Sequence, residues 1–409
     1  MQDMTAILSV KTAIFCHFLC LAQLLFNKNC NLIFFLMNTT ITFYPVDNGD
    51  CNLIEVKNGP KILWDCKFTK KAEDDEEIDY DVISELTDKK LTKKNGLPYV
   101  SAFILSHSDE DHCHGFEKKF YLGDPNKITQ EDKDAKKILI GELWYSPRII
   151  LESKDDLSAE AAAFKKEVER RMKVYKDNKE ESNKPGNRIR IIGWENAKDL
   201  SDYSERVILP GSSTSEIDGA SYSNLSLFIH SPFKDEIEED SSRNDTSIVI
   251  QFSFTYGEHN DRAKLLMTGD AEWPVWEHII ENNQDDDTLE WDIMEAPHHC
   301  SYTFFAANKE DDPKESSLAI LEKKTANAFI VASSTFIPSD STPPSEDAKK
   351  LYVEAVGKSS FLCTGGNKKG DNPAPIIFEL DDDGFKLKDL NEEKEQVKNG
   401  LSAQPHVYG

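Results

Sequence analysis

Paired cysteines are the first feature that this 409-residue sequence lacks. Its 8 cysteines are scattered and show no CxxC spacing, which argues against a zinc ribbon or a disulfide scaffold. The 19 glycines and 17 prolines are ordinary in number, and 39% of the residues are hydrophobic, so a disordered or fibrous chain is excluded. The length suits two or three small domains, or one large layered domain.

Positive charge is also scarce. The sequence has 48 Lys and Arg against 74 Asp and Glu, which leaves a net charge of −26 and a pI near 4.8. A protein this acidic does not hold nucleic acid through a general basic surface. If the chain acts on phosphodiesters, a metal or a local site must supply the positive charge.

A long apolar run suited to a bilayer is missing as well, although residues 1–36 are more apolar than the rest. The longest uncharged stretch there, Thr12–Phe26, is shorter than the roughly 20 residues of a membrane span. No convincing small-residue cleavage site follows it. Because a strand pattern begins directly after Met37, we interpret residues 1–36 as a leader. It is a mis-assigned start, a signal peptide or a membrane anchor.

The rest of the chain is predicted to be one folded domain, residues 37–385, and a polar tail, residues 386–409. The domain contains an odd number of cysteines, and free thiols fit a reducing cytoplasm. A cytoplasmic location is therefore predicted, while the leader leaves export or anchoring open. No membrane contact is expected of the folded domain. Its cysteines are Cys51, Cys66, Cys113, Cys300 and Cys363.

Apolar runs bounded by turn residues predict many strands and few helices. Early strands are followed by strands that alternate with helices, which is typical of a layered α+β fold. Helices are predicted at 78–90, 158–175, 274–281 and 344–356. Strands are predicted at 41–46, 52–56, 60–65, 100–105, 138–144, 188–192, 225–230, 247–254, 264–268, 291–295, 328–332, 360–363 and 376–380.

The sharpest motif is LSHSDEDHCHG, Leu105–Gly115. It places four metal-binding side chains within six residues, at the end of a predicted buried strand: His107, Asp109, Asp111 and His112. Loops at strand ends are where rigid scaffolds carry functional side chains. Imidazoles and carboxylates at this density suit zinc or a harder ion such as manganese. Helix capping would need only one aspartate.

Two weaker motifs follow downstream. LLMTGDAE ends a strand at Asp270, and APHHCS places His298 and His299 after the strand WDIME. Glycine before Asp270 allows close backbone approach. Either motif alone is more often structural, but together with the histidine-rich loop they indicate a metal centre.

In this order, SHxDxDH, TGD and PHH resemble the motifs of metallo-β-lactamase-fold hydrolases. The nearest resemblance is to the hydrolase domain of the DNA-uptake channel protein ComEC and its soluble stand-alone relatives. Further similar segments are FYPVDNGDCNLIEV, KILWDCK, HSPF and RNDTSIVIQF, so the likeness runs from about Ile41 to Leu380. The resemblance implies an α+β fold, a four-layer αββα sandwich with polar insertions and a metal site along one edge of its two sheets.

The resemblance also implies two divalent metal ions. His107 and Asp109 would bind the first ion, Asp111 and His112 the second, and Asp270 would bridge them. His299 is the expected ligand of the final pair of histidines. His298 would touch substrate or orient a ligand, and Asp50 and Asp65 would fix strand ends or orient the histidines.

Some positions depart from the wider family. Many relatives have a histidine at Asp109 and another near the central strand, where this chain reads NDTSIV; Asn244 and Ser247 match the ComEC-like branch instead. His230 is a candidate substitute, or a strand-end histidine. The first metal position is therefore oxygen-rich, which favours manganese or a labile ion over tightly bound zinc. Cys300 is a candidate soft-metal ligand, or a small buried thiol.

The implied activity is hydrolysis by metal-activated water, with phosphodiesters or nucleic acids as the first candidate substrates. Asp111 or Asp270 would accept the proton, and His298 or His114 would protonate the leaving group. Two alternatives remain. One is hydrolysis of a lactone, thioester or lactam. The other is a non-catalytic protein whose insertions, residues 67–99 and 120–187, bind protein partners.

Overall fold

A computed structural model describes residues 38–68, 80–193, 200–233, 242–258, 261–283, 286–338 and 342–389. The described residues from Thr39 onward belong to one unit of the chain. The predicted leader and residues 390–409 of the predicted tail lie outside the described residues. Within the described residues, no helix has the length and apolar character of a membrane span.

Twenty-two strands are formed by the described residues, most of them short. In chain order they are β1 (Thr40–Phe43), β2 (Asn52–Glu55), β3 (Lys61–Trp64), β4 (Cys66–Lys67), β5 (Lys93–Lys94), β6 (Leu97–Ile104), β7 (Leu139–Tyr145), β8 (Arg188–Ile192), β9 (Val207–Ile208), β10 (Ser213–Thr214), β11 (Glu216–Ile217), β12 (Ala220–Ser221), β13 (Leu225–Ser231), β14 (Val249–Tyr256), β15 (Asp261–Met267), β16 (Trp291–Glu295), β17 (Lys324–Ala332), β18 (Phe361–Cys363), β19 (Lys368–Lys369), β20 (Asn372–Pro373), β21 (Ile376–Asp381) and β22 (Gly384–Leu387).

Two large sheets contain most of these strands. In the described residues the first has the order β22-β21-β1-β2-β3-β6-β7-β8-β9, with β5 beside β6, and the second has the order β10-β13-β14-β15-β16-β17-β18. The strands that carry the predicted motifs, β6 and β16, have parallel neighbours on both sides. The loops at their carboxyl ends are therefore gathered at one edge of each sheet.

Helices fill the connections between strands. The α-helices of the described residues are α1 (Val82–Ser84), α2 (Glu110–Cys113), α3 (Phe116–Lys119), α4 (Gln130–Asp134), α5 (Arg148–Leu151), α6 (Ala159–Asp177), α7 (Lys179–Ser182), α8 (Trp273–Asn282), α9 (Asp286–Leu289), α10 (Glu315–Glu322) and α11 (Glu346–Val356), and a π-helix spans Glu85–Lys90. Ser158 caps the longest of them, α6, through a hydrogen bond to its side chain from the backbone N–H of Ala161.

Three large hydrophobic cores and one small one lie between these elements in the described residues. One core combines residues of both sheets, and its Trp64 and Phe252 rings are 6.3 Å apart. A second core lies between the other face of the first sheet and α6, where Phe103 meets Phe164 at 6.0 Å. A third lies between the second sheet and α8, α10 and α11. The fold is thus mixed α+β, built on two large sheets.

The predicted strands are confirmed, with ends that move by up to four residues. Helix α10 was not predicted, because its sequence ESSLAILE is short and partly polar. The span 120–187 is not a simple insertion: β7 is buried along its whole length, and α6 contributes Phe164 and Val168 to the core. Burial of these apolar side chains therefore makes part of this span necessary for the stability of the fold.

Candidate metal centre

The histidine-rich loop starts where β6 ends. His107 and His112 are buried, whereas the side chains of Asp109 and Asp111 are 35% and 36% exposed. Asp109 directly precedes α2, so its carboxylate lies at the opening of the site while the imidazoles point inward. The two histidines of SHSDEDH are therefore buried, while its two candidate aspartates, Asp109 and Asp111, are partly exposed.

Asp65 fixes the orientation of His112. Its fully buried carboxylate lies 2.8 Å from Nδ1 of His112 and accepts hydrogen bonds from the backbone N–H of Ser106 at 2.7 Å and from Ser106 Oγ at 2.6 Å. With Nδ1 held there, Nε2 of His112 faces Asp270 at 3.1 Å. A carboxylate behind a histidine is a common support for a metal ligand.

Asp270 stands between two pairs of histidines. Its Oδ1 lies 3.1 Å from His112 Nε2 and 3.7 Å from His299 Nε2. Its Oδ2 lies 3.6 Å from His107 Nε2 and 3.7 Å from His298 Nε2. We call the first side, with Asp111, the inner half of the site, and the second side, with Asp109, the outer half.

Each half includes a further aspartate. Asp111 Oδ2 lies 3.2 Å from His299 Nε2, and its Oδ1 lies 4.0 Å from His112 Nε2. Asp109 Oδ2 lies 3.5 Å from His107 Nε2. All six side chains predicted as ligands are therefore brought together by the fold.

The adjacent histidines lie in a left-handed turn, Pro297–Cys300, after β16. His299 is buried and its Nδ1 lies 3.0 Å from the carbonyl oxygen of Ser333. The Nδ1 atom of His298 lies 3.1 Å from Thr303 Oγ1 and 3.5 Å from Glu272 Oε1. Both rings therefore direct Nε2 toward Asp270.

Asp50 lies behind the histidines. Donor atoms of Asp50, His112, Asp270 and His299 all fall within 4.8 Å of one another. The carboxylate of Asp50 approaches Nδ1 of His112 at 3.5 Å and Nδ1 of His299 at 3.9 Å, whereas Asp270 approaches their Nε2 atoms. Asp50 therefore lies on the Nδ1 side of both rings, and Asp270 lies on their Nε2 side.

Several buried polar atoms of the site lack a hydrogen-bond partner among the described residues. They are His107 Nε2, His112 Nε2, Asp270 Oδ1 and Asp50 Oδ1. Unsatisfied polar atoms in the interior cost about 1–3 kcal/mol each. The two imidazole nitrogens and the carboxylate oxygen of Asp270 that converge in this state fit the ligand chemistry of divalent cations.

The electrostatics of the site depend on the pairing of imidazoles with carboxylates. Burial opposes protonation of His112, but the charges of Asp270 and Asp65 outweigh burial and raise its pKa well above the ordinary value. Burial likewise opposes ionisation of Asp270, but the neighbouring histidines hold its pKa well below the usual range. The carboxylates around His112 thus favour positive charge at its position.

Arg243 is a site residue that the sequence analysis missed. Its Nη1 donates to Asp109 Oδ1 at 2.9 Å, its Nε donates to Glu152 Oε1 at 2.6 Å, and its Nη2 donates to the carbonyl of Asp156. Burial alone would raise the pKa of Asp109, yet His107 and Arg243 lower it to about 2. The only sequence signal was its place beside Asn244 in RNDTSIV.

The remaining candidates lie elsewhere. His230 is buried against Phe228, with Nδ1 3.5 Å from Asn283 Nδ2, which is the strand-end role. Cys300 is buried with Sγ 3.8 Å from the carbonyl of Ser345, and burial raises the pKa of its thiol. His114 is more than a third exposed and lies 3.2 Å from Glu110.

Comparisons with known proteins give low similarity. Neither models of protein families nor curated proteins match the chain. Among solved structures, the isothiocyanate hydrolase from Delia radicum gut bacteria is 13% identical, with a TM-score of 0.37, over 80% of this chain and 97% of that one. A long form RNase Z from yeast is 13% identical, with a TM-score of 0.31, over 72% of this chain and 37% of that one.

Proposed function

We propose that this chain is a metal-dependent hydrolase with a four-layer αββα sandwich fold, and that phosphodiesters, including nucleic acids, are its substrates. The observation that carries the proposal is the position of Asp270, whose two carboxylate oxygens face separate groups of imidazole nitrogens. A carboxylate in this position would contribute one oxygen to each of two divalent cations.

The proposed ligands follow from the two halves. His112, His299 and Asp111 would hold the inner ion, and His107 and Asp109 the outer ion. Mixed nitrogen and oxygen ligands fit zinc or manganese. The partly exposed carboxylates of Asp109 and Asp111 would leave room for a substrate at the opening.

Bound divalent ions supply Lewis acidity, which activates water at neutral pH and stabilises charge on a phosphoryl oxygen. Asp111 or Asp270 is proposed to accept the proton of the attacking water. Exposure favours Asp111, because solvent reaches its carboxylate while Asp270 is buried. Asp65 and Asp50 would hold the histidines in orientation while the proton moves.

The acidic surface bears on the choice of phosphodiester. With a net charge of −26, the protein repels long nucleic acids at low salt, so affinity must come from the centre itself. Short oligonucleotides and small phosphodiesters are therefore the proposed preferred substrates within the class. The rate should rise with ionic strength for a long nucleic acid and change less for a small diester.

A substrate panel with a matched pair of variants tests the proposal. Protein supplied with zinc or manganese is assayed on a chromogenic phosphodiester, a short oligonucleotide, a lactone, a thioester and a lactam. Asp270→Asn should abolish phosphodiester hydrolysis. Asp292→Asn, which removes a carboxylate that accepts hydrogen bonds from Lys264 N and Thr325 Oγ1 in the same sheet, should retain it.

The outcomes separate the alternatives. Hydrolysis confined to the lactone, thioester or lactam would replace the phosphodiester assignment. Equal activity of Asp270→Asn and the parent protein would refute the metal-dependent mechanism. Absence of hydrolysis on every substrate, together with absence of bound metal, would favour the non-catalytic protein.

A further inference from the structure

We propose that His298 is a nitrogen ligand of the outer metal ion, beside His107 and Asp109. The sequence-based hypothesis made it a proton donor to the leaving group or a contact of the substrate. The proposal rests on the proposed function, since it needs an ion in the outer half, and it adds the ligand that this half otherwise lacks.

The backbone of the turn supports this role. His298, His299 and Cys300 have φ values of 49°, 53° and 68°. Three successive non-glycine residues in the left-handed region are strained, and such strain persists mainly at functional sites. The result of the strain here is that two adjacent imidazoles reach the two different oxygens of one carboxylate, at the same 3.7 Å distance.

The partners of Nδ1 show which nitrogen is available. Thr303 Oγ1, Asn244 Nδ2 and Glu272 Oε1 lie 3.1, 3.4 and 3.5 Å from Nδ1 of His298. Asn244 also donates to Glu272 Oε1 at 3.0 Å, which fixes that carboxylate beside the ring. A histidine supported at one nitrogen by a carboxylate presents the other as a metal ligand.

The balance of charge makes the outer half the weaker one. The carboxylate of Asp109 is paired with the guanidinium of Arg243, whereas that of Asp111 has an imidazole neighbour, His299. The inner half also has the buried carboxylate of Asp50 beside both of its imidazoles. A ligand set with less negative charge binds divalent ions less tightly. The nitrogen of His298 then contributes a large share of the outer affinity.

Metal binding by His298→Asn tests the proposal without recourse to activity. Asparagine tolerates a left-handed conformation, so the turn is retained while the imidazole is lost. His278→Asn, in helix α8, carries the same substitution outside the site and serves as the control. Each protein is titrated with zinc and with manganese against a chromophoric chelator, and the cobalt form is examined by visible absorption.

We expect two ions per chain in the parent protein and in His278→Asn. In His298→Asn the tighter ion should remain and the weaker affinity should fall at least about ten-fold, with a weaker cobalt d–d band. Two ions at unchanged affinity and an unchanged cobalt spectrum would overturn the ligand role and leave the proposed function intact. A parent protein that binds no ion would overturn the proposed function itself.

If His298→Asn does not fold, His298→Gly replaces it, because glycine adopts the positive φ without strain. The expected loss of affinity and the result that would overturn the ligand role are the same as for His298→Asn. Folding is checked by circular dichroism of the metal-free proteins.

Discussion

Replacement of Asp65 by asparagine is the sharpest perturbation of the centre, because it exchanges one carboxylate oxygen for an NH₂ group and removes one negative charge with almost no change in volume. The carboxylate accepts from Ser106 N, from Ser106 Oγ and from the ring of His112. In the parent protein Oδ1 accepts from Ser106 N, whereas Oδ2 faces both Ser106 Oγ and Nδ1 of His112. An NH₂ group in place of Oδ1 meets the backbone N–H, donor against donor, and an NH₂ group in place of Oδ2 donates toward the ring of His112.

We expect Asp65→Asn to weaken metal binding. If the amide donates to His112, the ring must keep Nδ1 unprotonated, and its proton moves to Nε2, the atom that faces Asp270. That proton must be displaced before a cation binds. Loss of such a supporting carboxylate typically weakens metal affinity about 10–100-fold, which corresponds to about 1.4–2.7 kcal/mol.

Competition with a chromophoric chelator at pH 7.5 (roughly one unit above the ordinary histidine pKa) measures this loss. Asp292→Asn is the control, since that residue also accepts two hydrogen bonds but contacts Lys264 and Thr325. The inner ion of Asp65→Asn should bind about 10–100-fold more weakly and that of Asp292→Asn as in the parent. Equal affinities in all three proteins, or equal losses in both variants, would refute the reasoning.

Two other predictions concern stability. Gly269→Ala should lower the free energy of unfolding of the metal-free protein by about 2 kcal/mol in urea titrations. The reason is that φ is +50° there and a Cβ would lie 2.8 Å from Ser106 Cβ; unchanged stability would contradict it. Burial lowers the pKa of His230 to about 4. Below about pH 6.5 the unfolded chain therefore binds a proton at this residue that the folded chain does not bind, and the free energy of unfolding decreases as the pH is lowered. From pH 7 to pH 5 this group removes about 2 kcal/mol, a loss that His230→Leu should escape; parallel pH profiles of the two proteins would rule it out.

Local pattern was enough to predict the strands and the loop that carries His107 and His112. Strand identity follows from short apolar runs, and a run such as WDIME has the same bounds in sequence and structure, Trp291–Glu295. Pairing is different, because β1 meets β21, with Thr40 opposite Glu379, and nothing local specifies a partner so distant in sequence. Register of this kind is set by which apolar faces bury each other.

The candidate site divides in the same way. The predicted ligands could be found because each ends a strand in a motif rich in metal-binding side chains. Arg243 could not, because its partners Asp109 and Glu152 are 134 and 91 residues away. An isolated arginine in a chain with 30% charged residues carries no local signal that separates it from a solvent-exposed one.

The role of the two adjacent histidines depends on a backbone conformation that the letters PHHCS do not reveal. In a strand their side chains would point to opposite faces, and only one would reach Asp270. The left-handed turn brings both there, at a cost of about 1–2 kcal/mol for each residue that is not glycine. Its backbone is held at three points, by hydrogen bonds from His298 N to Gly269 O at 3.1 Å, from Ser301 N to His298 O at 2.9 Å and from Ser345 N to Cys300 O at 2.9 Å. Because one of these bonds reaches Gly269, directly before Asp270, the same contact that maintains the strained turn also sets the histidines against the carboxylate between them.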